Sequence, residues 1–145
     1  VDHWTAAAVA AVFVWLGMVL AISFLEAPLK FRAPGVTIPL GLGIGRLVFR
    51  ALNSCEAVLA AVIVVALLAA GSLRTGVVLA VLVAIAALLA QVIGVRPALT
   101  RRSDAVLADA SQAESGRSHA HYVYVVFEVV KVVALLSSGV LLLNF

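Results

Sequence analysis

The sequence predicts an all-α integral membrane protein, a bundle of four transmembrane helices, and three observations carry the prediction. Of 145 residues, 65% are hydrophobic and only 12% charged, with a mean hydropathy of +1.22. A soluble domain of this length leaves too much of its surface exposed to hide that much apolar side chain. The apolar residues also gather in runs of about 20, the length that crosses a bilayer core. Finally, the period-two alternation of a barrel strand is missing. One membrane domain is expected over residues 1–145, with helices at about 6–25, 45–70, 76–95 and 122–145 and a polar loop over 97–118.

The first run, about 6–25, follows Val-Asp-His-Trp with no Lys or Arg ahead of it. It lacks the basic start of a signal peptide and reads as a retained helix. Trp4 suits the membrane interface, and Trp15 and Gly17 suit packing against a neighbouring helix. The run stops at Glu26, and Pro28, Pro34 and Pro39 argue against one regular helix over the next dozen residues. Glu26 and Lys30 stand four apart, the spacing of a helical ion pair. The Gly41, Gly43 and Gly45 run lacks the Lys-Ser/Thr and preceding strand of a phosphate loop, so Gly41-xxx-Gly45 reads as a close-packing motif before the second helix.

The second span begins charged and becomes hydrocarbon, yet Asn53 and Glu56 sit inside the apolar part. Counting the apolar span from Ala51, Glu56 lies about 8 Å in, where an unpaired carboxylate costs a few kcal/mol. Arg46, Arg50, Asn53 and Glu56 step by four, three and three, which places them on one helical stripe facing protein or water. The third span carries one strongly polar residue, Gln91, before Arg96-Pro97 closes it. Residues 97–118 begin with a stretch that suits a short surface helix and end in a Ser/Gly tip. In the fourth span His121, Tyr124, Glu128 and Lys131 form a second polar stripe, the last two about 9 and 13 Å inside.

Charge placement orients the chain. Lys30, Arg32, Arg46, Arg50, Arg96, Arg101, Arg102 and Arg117 flank the first and third connections, whereas Arg74 alone marks the opposite side. The positive-inside rule then places the 97–118 loop in the cytoplasm and both termini outside. The net charge of +3 follows this topology and points to no nucleic-acid partner. In that arrangement Glu26, Asn53, Glu56, Gln91, Glu128 and Lys131, from four helices, share the cytoplasmic half. Cys55 is the single cysteine and permits no internal disulfide; a small packing residue is its plain reading.

Trp15-x-Gly17, Glu26-Ala-Pro28-Leu-Lys30-Phe31, Gly45-Arg46-Leu-Val-Phe49, Asn53-x-x-Glu56, Arg96-Pro97 and His121-Tyr-Val-Tyr with Glu128-Val-Val-Lys131 resemble a group of bacterial four-helix membrane proteins. This group is similar to the transmembrane-protein-205-like domain and, more distantly, to the copper-resistance D-type proteins. Arg50-Ala-Leu-Asn53-Ser-Cys-Glu56 also resembles the Arg-Ala-x-x-Asn-x-x-Glu signature of the membrane-associated eicosanoid and glutathione metabolism family. Here, Arg50 to Asn53 is one residue short of that spacing, a rotation of about 100° round a helix.

Three readings of the polar cluster (Glu26, Lys30, Arg46, Arg50, Asn53, Glu56, Gln91, Glu128, Lys131) follow. In the first it binds helices together, with Arg46, Arg50 or Lys131 answering Glu56, in an accessory or assembly subunit of a larger membrane complex or homo-oligomer. In the second, Glu56, Glu128 and Lys131 line a path for a proton or small cation; a metal variant recruits His119 and His121 with Glu26 and Glu128. In the third, Arg50, Asn53 and Glu56 bind glutathione or a lipid headgroup, with Tyr122 or Tyr124 as a proton donor. The first, non-enzymatic reading is the expectation, and the sequence assigns no cofactor.

Overall fold

The computed structural model describes residues 2–71, 73–108 and 119–144, leaving aside the side chains of 98–99, 102–103, 106–107 and 119–121. The described chain is all helical, and four helical stretches are long and apolar enough to cross a membrane: His3–Arg32, Ile38–Ala70, Thr75–Val95 and Tyr122–Leu143.

Helix α1 (His3–Val19) starts at Asp2, whose carboxylate accepts from the Thr5 amide at 2.6 Å and covers one of the four unpaired donors of a helix start. That bond, with His3 beside it, holds the Asp2 carboxyl below the usual carboxylate range. The helix does not stop at Glu26. It continues through a π-helical stretch (Leu20–Glu26), an α-turn (Ala27–Leu29) and a 3-10 turn (Lys30–Arg32). Pro28 explains the widening. A proline inside an α-helix removes a donor and presses its ring on the carbonyl four residues back. Here, the Ala27 amide reaches five residues back, to Ile22 O, and the looser register accommodates the ring.

Helix α2 (Ile38–Ala70) is capped by Thr37, whose hydroxyl accepts from Leu40 N at 3.2 Å, with Pro39 in the first turn where no donor is needed. It therefore starts before the three glycines, not after them. Gly41 and Gly45 are packing positions, but side chains press on them rather than a facing backbone. A Cβ at Gly41 would lie 2.2 Å from Phe31 Cε1, and one at Gly45 would lie 2.7 Å from Lys30 Nζ. Gly71 ends the helix at φ 71°, a left-handed conformation natural to glycine.

Helix α3 (Thr75–Ala90) runs into a second π-helical stretch (Gln91–Val95), again just before a proline, Pro97, and again with an amide, that of Arg96, donating five residues back, to Gln91 O. Helix α4 (Arg96–Ala108) is the short polar helix, and α5 (His119–Leu143) contains the last long apolar stretch. Arg74, the lone basic residue of its side, donates to Leu141 O at 2.7 Å and Asn144 O at 2.5 Å. It supplies partners for carbonyls that the end of α5 leaves unpaired.

Helix α5 packs between α1 and α3, α2 packs on α1, and α2 and α3 touch little, with α4 laid beside α2. Each of the four long helices turns one stripe inward. In α1 it is Ala8, Val12, Trp15 and Val19; in α2, Asn53, Glu56, Ala60 and Ile63; in α3, Val77, Val81, Ala84 and Leu88, then Gln91; in α5, Tyr124, Glu128, Lys131, Leu135, Ser138 and Leu142. Steps of three and four residues define these stripes. Their apolar members form one core, and polar residues replace them at one end of the bundle. Outward residues such as Leu47, Val65, Leu68 and Ile93 are exposed.

Candidate functional site

At that polar end Lys131 Nζ lies 2.6 Å from Glu56 Oε1 and 2.6 Å from Glu128 Oε1. The three side chains are 0–2% exposed. Helix α5 supplies two of them one turn apart, and α2 brings the third from across the bundle. Lys131 answers Glu56, whereas Arg46 and Arg50 do not.

The neutral partners complete the arrangement. Glu56 accepts from Trp15 Nε1 at 3.0 Å. With its amide nitrogen turned toward Glu56, Asn53 donates to Glu56 Oε2 at 3.0 Å and accepts from Arg96 Nη1 at 3.2 Å. Glu128 accepts from Gln91 Nε2 at 2.6 Å and from Ser23 Oγ, and Gln91 also donates to Tyr124 O at 3.2 Å. Each carboxylate thus receives the shared ammonium and two neutral donors. Removing an ion from water costs several kcal/mol even after relaxation, and a buried pair recovers this only when its remaining lone pairs are satisfied. Here both oxygens of both carboxylates have donors.

Two buried polar atoms stand at the edge of this network without a completed hydrogen bond, Gln91 Oε1 and the Tyr124 hydroxyl. The Tyr124 ring meets Phe49 edge-on at 5.5 Å. Such atoms cost about 1–3 kcal/mol each and mark the side on which the packing is least complete.

The other candidate residues fall into separate places. Glu26 and Lys30 pair loosely with each other at 3.9 Å, and Lys30 Nζ lies over the Phe31 and Phe49 rings at 5.5 and 5.8 Å. Arg46 binds Asp104 of α4 at 2.6 Å. Arg50 is exposed and lines a groove with Val92, Arg96, Pro97, Thr100 and Arg101. Cys55 is exposed on the outer side of α2. The side chains of His119 and His121 lie outside the described residues, and among the described residues no three of His, Cys, Asp and Glu gather as metal ligands.

Sequence reasoning missed Trp15 and Ser23 as members of the network and Asp104 as the partner of Arg46. Trp15 was assigned to packing, and only its indole N–H distinguishes the two roles. Ser23 and Gln91 carry a legible signal in retrospect: each lies in a π-helical stretch that ends just before a proline, and such widened turns redirect side chains.

Comparison with protein families, with characterised proteins and with solved structures gave no match.

Proposed function

We propose that this chain is a small multi-pass membrane protein without catalytic activity, a structural subunit of a homo-oligomer or larger membrane complex whose bundle is locked from within by the Glu56–Lys131–Glu128 network. The carrying observation is that this network is closed: three ionisable side chains at 0–2% exposure, with every carboxylate oxygen bonded inside the chain. A ligand site would keep some of these atoms for its ligand. The cysteine at 55 is exposed, and the one described hydroxyl bonded to a network carboxylate, that of Ser23, is spent as a donor to Glu128. The basic residues at one end support a bacterial inner-membrane location with both termini outside, and the resemblance to transmembrane-protein-205-like chains belongs to the same proposal.

A second reading is favoured by one observation. Arg96, at the open groove, connects through Asn53 to Glu56, and on through Lys131 to Glu128. Such a chain of exchangeable protons is the skeleton of a proton relay. Reconstitution into proteoliposomes separates the two. The structural reading predicts no flux above empty vesicles and, after mild extraction of native membranes, an assembly larger than one chain on native gels. PH-driven flux abolished by Glu56→Gln in a folded protein would establish the relay and overturn the structural reading.

A further inference from the structure

Arginines gather on one face beside the network. Arg50 from α2 and Arg96 and Arg101 from α4 line one groove of about 470 Å³, together with the Thr100 hydroxyl and the apolar Val92 and Pro97. No carboxylate is among the lining residues. The nearest acid on α4 with a described side chain, Asp104, is bound to Arg46, and no ion pair joins Arg50 or Arg101 to another described residue. Arg96 differs from these two, since Asn53 holds its guanidinium at 3.2 Å. The groove therefore has one fixed cation and two free ones.

Its place in the fold matters as much as its charge. α2 and α3 touch little, and the groove lies between α2, which supplies Arg50, and the end of the third apolar stretch with the start of α4. Val92 is exposed one turn before Arg96 and continues toward the outward apolar surface. Planar guanidiniums match phosphate oxygens in pairs.

We infer that this groove binds the phosphodiester headgroup of an anionic phospholipid, with Arg50, Arg96 and Arg101 on the phosphate, Thr100 as an added donor, and the acyl chains leaving along Val92. The inference rests on the membrane reading above. A soluble phosphate offers the same oxygens without the apolar tail, and the test separates these sources.

The full chain is taken from carbonate-washed membranes into a neutral detergent and titrated with phosphatidylglycerol and with phosphatidylcholine, bound lipid being read by native mass spectrometry. A third arm adds millimolar inorganic phosphate. Phosphatidylglycerol should bind in preference, and the double variant Arg50→Gln/Arg101→Gln should weaken it about 30-fold, from about one surface cation's contribution each. Both residues are exposed, so the variant should keep its helical circular dichroism. Arg32→Gln, which removes an exposed charge outside the groove and leaves the Arg46–Asp104 pair in place, should leave the preference unchanged. Equal binding of the two lipids, or an equal loss in Arg32→Gln, overturns the site. Displacement of phosphatidylglycerol by millimolar phosphate assigns the groove to a soluble anion and overturns the lipid. A chain absent from carbonate-washed membranes overturns the membrane reading itself, whereas a membrane-bound chain without lipid preference overturns only the groove.

Discussion

Helix α2 contributes to two charged regions about one turn apart, and they behave in opposite ways. At Asn53 and Glu56 the side chains are buried and bonded within the chain. At Arg50 the side chain is exposed, with no described carboxylate beside it. The same helical stripe feeds both, and what changes along it is the neighbour. Opposite Glu56 stand α1 and α5, which bring Trp15 and Lys131. Opposite Arg50 stands the open seam between α2 and α3. A buried charge in such a bundle is a demand for partners, and an exposed one is free to meet something outside the chain.

That contrast is broken most severely at Lys131. Lys131→Met leaves two carboxylates facing each other in the interior, and the loss of one partner from a buried network typically costs about 3–5 kcal/mol. Thermal unfolding in detergent should show a large drop, or the protein should fail to accumulate. The triple variant Glu56→Gln/Glu128→Gln/Lys131→Met removes all three charges together. It should recover most of that loss, because neutral replacements avoid the desolvation cost. A triple variant as unstable as the single one would mean that the pairing is not what the interior depends on.

Trp15→Phe is the next step down. It keeps an aromatic ring in the core and deletes one donor to Glu56, with an expected cost of about 1.5–3 kcal/mol for a bond to a charged group. At the apolar end, Gly139→Ala places a Cβ 2.5 Å from Phe13 Cζ. Overpacking of this kind costs about 1 kcal/mol or somewhat more if the ring cannot turn aside. Both are read from the same unfolding experiment. Equal, near-zero effects would mean that neither region is closely packed.

The four spans were legible because length and hydropathy alone demand them. The inward stripes of α2 and α5 were legible too, since Asn53, Glu56, Glu128 and Lys131 follow helical spacing. The division of α2's stripe was not. Nothing in the step from Arg50 to Asn53 tells that α1 and α5 cover one residue and not the other. Pro28, Pro34 and Pro39 do mark a stretch that is not one regular helix. The stop expected at Glu26 falls later, at 33–37, because a widened turn accommodates Pro28 and Pro39 sits in the first turn of α2. Asp104 escaped because its pairing with Arg46 spans 58 residues.

The mildest effects lie at the surface. Arg46→Gln should cost no more than about 1 kcal/mol, as expected of a solvent-exposed pair. The Asp2 cap gives a pH-dependent effect of known sign. Its folded carboxyl titrates below the ordinary value, so the cap is complete above the carboxylate range and is lost as pH falls through the depressed value. Protection of the Thr5 amide against hydrogen exchange, taken relative to its intrinsic rate, should fall in acid, and Asp2→Asn should flatten that dependence. Exchange that ignores pH beyond its intrinsic rate would exclude the cap.

The account depends most on the bond between α2 and α5. A double-mutant cycle with Glu56→Gln, Lys131→Met and both together, read by unfolding in detergent, measures it. The closed network predicts a coupling energy of about 1.5 kcal/mol or more, the upper part of the range for residues in contact. Additive effects, within about 0.5 kcal/mol, would contradict it.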